Sequence, residues 1–243
     1  MSGFRSVRDS LPDITEVHPR LASGLDDVAH AQERIYTALI QLLTASPTRG
    51  LYRADVLMWS IGNRSLEVAD GFVATFRRWN VHAAASLVRL QVDNVVRSCL
   101  LCRYGPWDEV EDALLEGEPL HRVADPTRAE DPRARLNDTR LVELAKAYHP
   151  WLEHLYQESS RWVHLSDRHH NTSFSLDKGG GFHGSVPIQA SQYPHDLLVD
   201  VLWAAKATTE AIADYFNDHA PGARAATVAS VTSGNAPAAS RKP

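Results

Sequence analysis

The stretch from Val81 to Tyr104 constrains the fold more than any other part of the chain. It is rich in Ala, Leu and Val and holds neither Gly nor Pro. Leu87, Val88, Leu90, Val92, Val95 and Val96 put apolar side chains on nearly every side of a helix. A helix that is apolar almost all round has to be surrounded by other elements. The stretch therefore predicts the central helix of an all-α bundle. Gly105-Pro106 closes it, a C′ glycine followed by a proline. Asn80 stands before it as junction or cap.

The same helix carries Arg89, Asp93 and Arg97 at i, i+4 and i+8, which places them on one face. Gln91 and Asn94 lie close by. Charges on a mostly buried helix are expected to be half-buried and paired. Stability alone explains such groups poorly. Two readings stay open: a structural network that fixes helix register, or a functional pocket. The preceding helix, about Tyr52 to Trp79, holds a matching set in Asn63, Arg64, Glu67 and Asp70. Arg64 could pair with Asp93, or Glu67 with Arg89, tying the two helices together.

Further helical spacing runs from Ala22 to Thr44 on Val28, Ile35, Leu39 and Leu42. A short acidic helix is expected within Asp108–Glu118, and another from Thr139 to Tyr148. One more runs from Pro150 to roughly Ser166, with Pro150 suited to a first helical position. The last is expected from Ser191 or Pro194 to Phe216. Between Gly117 and Asp138 three prolines and many charges predict a surface loop or broken helix. Thr172 to Ile188, with Gly179-Gly180-Gly181, predicts a small hairpin or extended flap. The organisation expected is an irregular lead-in over 1–21, one helical-bundle domain over 22–219, and a disordered tail over 220–243.

Composition narrows the function classes. Of 243 residues, 44% are apolar and 23% charged, which suits a globular chain with a sizeable core. The net charge is −5, and the tail from Pro221 holds Arg224, Arg241 and Lys242 with no acidic residue. The rest of the chain is therefore more acidic than the whole, which argues against a general DNA-coating role. A small basic pocket remains compatible with that balance. No apolar run is long enough to span a membrane, and the start lacks a signal-type stretch. These features predict a cytoplasmic protein without membrane contact.

The densest polar chemistry lies in Ser159–His170. If its helix reaches Arg168, then Arg161, His164 and Arg168 share a face, with Ser160 one turn before His164. A histidine between two guanidinium groups suits a phosphate site. The arginines hold the anion, and their charge lowers the histidine pKa so that a neutral imidazole can act as a base. The alternative is an ordinary helix terminus, where basic residues are favoured by the macrodipole. Metal binding by His164, His169 and His170 is not expected, because helical ligand pairs prefer i, i+3 or i, i+4. Cys99-Leu-Leu-Cys102 has neither a second pair for zinc nor a βαβ context, so both thiols are expected in the core. The Gly179–Gly181 run has no phosphate-loop pattern, and GxSxG and HExxH are absent. No cofactor is expected.

Several of these residues carry a resemblance. Asn63-Arg-Ser65, Gly71-Phe72, Leu87-Val-Arg-Leu-Gln-Val-Asp-Asn94, Arg97 and Ser160-Arg-Trp-Val-His-Leu-Ser-Asp-Arg-His169 resemble a group of uncharacterised bacterial helical proteins. Pro150-Trp151 and Tyr156 fit the same pattern, and the likeness covers about Tyr52 to His170. More distantly the chain looks like HEPN-type and abortive-infection helical proteins. Many of those are metal-independent ribonucleases in defence or toxin–antitoxin settings. The resemblance implies an enzyme acting on a phosphodiester, RNA above all, or on a nucleotide. His164 would be the general acid or base. Arg161 and Arg168, with Arg89 or Arg97, would hold the phosphate. Ser160 and Asp93 would orient the site, with Asn94 and His169 completing the substrate contacts. The other expectation is a non-catalytic interaction or sensor protein whose polar residues form a buried network, with a protein partner. A homodimer is expected, through Leu198, Val201, Trp203 and Ala205 of the last helix.

Overall fold

The computed structural model describes residues 11–44, 53–105, 108–164, 174–176, 182–184 and 193–219. Its helices are α1 (Ile14–Val17), α2 (Leu21–Thr44), α3 (Arg53–Arg77), α4 (Val81–Cys99), α5 (Asp108–Leu115), α6 (Asp138–Lys146), α7 (Leu152–Val163) and α8 (His195–Asp214). Two π-helical turns, Leu100–Tyr104 and Tyr215–His219, extend α4 and α8. A short antiparallel hairpin pairs β1 (Phe174–Leu176) with β2 (Phe182–Gly184), Ser175 opposite His183. The fold is an all-α bundle, and the hairpin falls inside the segment expected to be extended.

Helix α4 is central, as its composition requires. It packs against α3, α6, α7 and α8, while α2 closes the other side of α3 and α8. Ala84, Val88, Val92 and Val95 are buried at this hub. Gly62 and Gly24 allow the close packing of α2. A Cβ on Gly62 would lie 2.6 Å from Leu39 Cδ1, and one on Gly24 would lie 2.6 Å from Leu202 Cδ2.

Three local departures from the sequence reading have clear causes. Helix α3 stops at Arg77 because Trp79 takes a left-handed conformation with φ 61°. That conformation is costly for a bulky residue. Trp79 is held there by full burial and by its indole N–H, which donates to Pro12 O at 2.9 Å. Asn80 is a junction whose side chain makes no capping bond. The lead-in is not wholly irregular: Asp13 caps α1 by accepting from Thr15 N at 2.9 Å, and Ile14 is buried.

The third departure is the 117–138 segment. Two short 3₁₀ turns and an Ala124–Arg135 bridge shape it, and Leu120, Val123 and Leu136 are buried. Its anchor is Asp125, whose side chain is fully buried. The carboxylate accepts from Thr127 N at 2.9 Å, Thr127 Oγ1 at 2.6 Å and Arg140 Nε at 2.7 Å. Burial raises this carboxyl's pKa, but the Thr127 and Arg140 hydrogen bonds outweigh it and hold it below the ordinary value.

The last helix also corrects an expectation. Leu198, Val201 and Ala205 face the core, so they cannot form an outer dimer face. Val199 and Trp203 are the exposed apolar residues of that helix, 42% and 49% accessible. The tail over 220–243 lies outside the described residues. No helix among the described residues is long and apolar enough to cross a membrane.

Candidate functional site

The i, i+4, i+8 stripe of α4 forms the floor of a polar groove. At its centre the Asp93 carboxylate accepts from Arg97 Nη1 on the same helix and from Arg64 Nη1 of α3 at 2.9 Å. Arg64 is thus the expected partner of Asp93. Arg64 Nη1 also donates to Asn94 Oδ1 at 2.6 Å. From there the network runs inward. Asn94 Nδ2 donates to Gln91 Oε1 at 2.9 Å. Gln91 Nε2 donates to Ser65 Oγ at 2.8 Å, and to Ser65 O and Thr209 Oγ1, each at 3.3 Å. Ser65, Gln91, Asn94 and Thr209 are all buried, so this end ties α3, α4 and α8 away from water.

The outer end is different. Arg89 Nε donates to Ser160 Oγ at 3.3 Å, and Arg89 Nη2 lies 3.6 Å from Asp138 Oδ2. Its guanidinium sits 4.2 Å from the Tyr156 ring centroid, within cation–π range. Tyr156 Oη donates to Asp138 Oδ2 at 3.4 Å, closing a small ring of contacts. The expected Glu67–Arg89 pair does not form: Arg89 turns to Asp138, and Glu67 and Asp70 are exposed.

Electrostatics link the two ends. Burial lowers the pKa of the Arg97 guanidinium, and the neighbouring charges of Arg64 and Arg89 lower it further against an opposing pull from Asp138. Burial lowers that of Arg64 as well. Both remain cations near neutrality, because arginine starts far above that range. Three guanidinium groups therefore share a field with two carboxylates, Asp93 and Asp138. The Arg64 side chain is 42% exposed, so water reaches this end. The arrangement can hold an anion. Its arginines and carboxylates include no group whose ordinary pKa lies near 7.

The residues expected to perform catalysis are placed otherwise. Helix α7 ends at Val163, and His164 leaves helical geometry with φ −99° and ψ 146° as an exposed C-cap. The face expected to join Arg161, His164 and Arg168 is therefore not built by a continuing helix. Arg161 Nη1 instead pairs with Glu158 Oε1 at 3.0 Å. Ser160 Oγ donates to Tyr156 O at 2.7 Å and accepts from Arg89, so its partner is the groove and not the imidazole. Arg168 and His169 lie outside the described residues. The structure thus brings together Arg89, Asp93, Asn94, Arg97 and Ser160 and leaves His164 at a helix end.

Tyr156, Asp138 and Thr209 belong to the site and were not singled out for it from the sequence. Only Tyr156 carried a signal, lying one turn before Ser160 on α7. Burial pushes the Cys99 and Cys102 thiols up to about 11 and about 12, so neither is a thiolate near neutrality. Among the described residues no group of three or more His, Cys, Asp and Glu gathers where it could hold a metal ion. In comparison with known proteins, the chain matches no family model, no curated protein and no solved structure.

Proposed function

We propose that this chain is a non-catalytic helical binding protein that recognises a phosphate group of RNA or of a nucleotide in the α3–α4–α7 groove. The supporting observation is the meeting of Arg64, Arg89 and Arg97 with, among the described residues, only Asp93 and Asp138 to balance them. Guanidinium groups suit phosphate oxygens because their planar donors match that geometry. The Tyr156 ring, already beneath Arg89, offers a surface for a base or sugar. RNA is the ligand class implied by the likeness to HEPN-type proteins.

The test is fluorescence anisotropy with a labelled single-stranded RNA oligonucleotide, with inorganic phosphate and a nucleoside diphosphate as competitors. Saturable binding that weakens with added salt is expected, since counterions are released on phosphate contact. Arg64→Gln and Arg89→Gln should each weaken it about tenfold or more, in the range set by loss of a charge-assisted hydrogen bond. Undiminished binding by both variants would remove this reading. RNA cleavage by the parent that vanishes in His164→Ala would replace it with the catalytic one.

A further inference from the structure

The other side of α7 faces a half-open cavity of about 380 Å³ lined by α4, α7 and α8. This volume lies within the range of small-molecule sites. Val88 and Val201 contribute to an apolar floor, and the indoles of Trp162 and Trp203 stand along its walls. Trp203 is 49% exposed and meets Trp151 edge-on at 6.0 Å, which fixes its ring at the mouth. Glu158 and Asp200 add two carboxylates to the lining, and among the described residues no lysine or arginine joins it. Glu158 is partly neutralised by Arg161. Asp200 is exposed and, among the described residues, meets neither an ion-pair nor a hydrogen-bond partner.

We propose that this cavity binds a small organic ammonium with an apolar body. Charge complementarity selects the cation. Asp200 offers a carboxylate on the same lining as the exposed Trp203 indole. Carboxylate and aromatic ring together are the surroundings that stabilise an ammonium as it leaves water. A quaternary ammonium has no N–H donors to satisfy, so it needs no hydrogen-bond acceptor in the cavity. The hydrocarbon portion lies over Val88 and Val201, where burial of apolar surface favours binding. An anionic amphiphile would meet the Asp200 carboxylate and be repelled. This site does not depend on the phosphate groove, which lies on the opposite face of α7.

The experiment titrates the full chain with hexyltrimethylammonium, following tryptophan fluorescence and calorimetric heat, with hexanol and hexyl sulfate as matched probes. His154 also lines the cavity. Saturable binding of the ammonium is expected, with hexanol about tenfold weaker and hexyl sulfate weaker still. Asp200→Asn and Trp203→Ala should each weaken the ammonium about three- to tenfold with an unchanged melting temperature. Asp196→Asn, exposed in the first turn of α8, and Arg64→Gln should leave it unaltered. Equal affinity for hexanol or hexyl sulfate would overturn the proposal. So would an Asp200→Asn variant that binds like the parent, or no saturable binding at all.

Discussion

The polar stripe of α4 has a sealed end and an open end, and they differ in what holds them. At the sealed end Ser65, Gln91, Asn94 and Thr209 are neutral, buried and joined by hydrogen bonds. At the open end Arg64, Arg89 and Arg97 are charged and outnumber their carboxylates. A buried neutral network stabilises when every member is satisfied and is costly when one is lost. A partly exposed charged cluster contributes less net stability because water competes for it. One helix therefore supplies both anchorage and recognition, and burial decides which residue does which.

The Asp125–Arg140 pair sets the upper limit for that comparison. It combines charge with full burial of the carboxylate, so it should be the most sensitive polar contact. Asp125→Ala leaves Arg140 Nε and the Thr127 donors without their acceptor, although Arg140 keeps Glu143, and is expected to cost about 3–5 kcal/mol. At about 2–4 °C per kcal/mol for a chain of this size, the melting temperature should fall by about 10 °C. The pair also has a pH signature. Its folded carboxyl lies below the ordinary value, so its stabilisation is present above the unfolded value of about 3.9 and is lost as pH falls through the folded one. Asp125→Asn should flatten that acid limb. Denaturant melts between pH 3 and 7 measure both effects, and an unchanged limb would assign acid lability to other groups.

Loss at the sealed end should cost less. Asn94→Ala removes an acceptor from Arg64 and a donor to Gln91, leaving a buried amide oxygen unpaired. About 2–3 kcal/mol is expected. Arg64→Gln at the open end should cost no more than about 1 kcal/mol, while RNA affinity falls. Thermal melts of the two variants in one buffer test the division. Equal losses would mean that the ends are not distinct.

The sequence showed the arginines of the open end but not the second carboxylate that they meet. Helical spacing places Arg89, Asp93 and Arg97 in line, and the Arg64–Asp93 pair follows from two adjacent helices. Asp138 arrives from α6, forty-five residues beyond Asp93, at the N-terminal end of a helix whose docking depends on the 117–138 segment. That segment reads as a surface loop because its buried residues, Leu120, Val123 and Leu136, are sparse and follow no period. The cavity beside α7 is a gap between three helices, and no single helix's pattern encodes a gap. Helix α7 ends at Val163, three residues before its expected end, so no continuing helix carries Arg161 and His164 on one face.

The smallest effect is expected at His164. It is exposed, it caps α7 through its own backbone N–H to Ser160 O at 3.3 Å, and that bond does not involve its side chain. His164→Ala keeps the N–H and removes only an imidazole facing water. Surface changes of this kind stay within about 0.5 kcal/mol. The melting temperature should therefore shift by no more than about 2 °C, well below the change for Asn94→Ala. RNA affinity should also hold, because the groove is built from Arg64, Arg89 and Arg97. The variant thus separates an imidazole at a helix end from the network one turn away. A loss of several degrees would mean that the side chain packs where the helix ends. A loss of RNA affinity with the fold intact would extend the groove past Ser160 to His164 and reopen its use in catalysis.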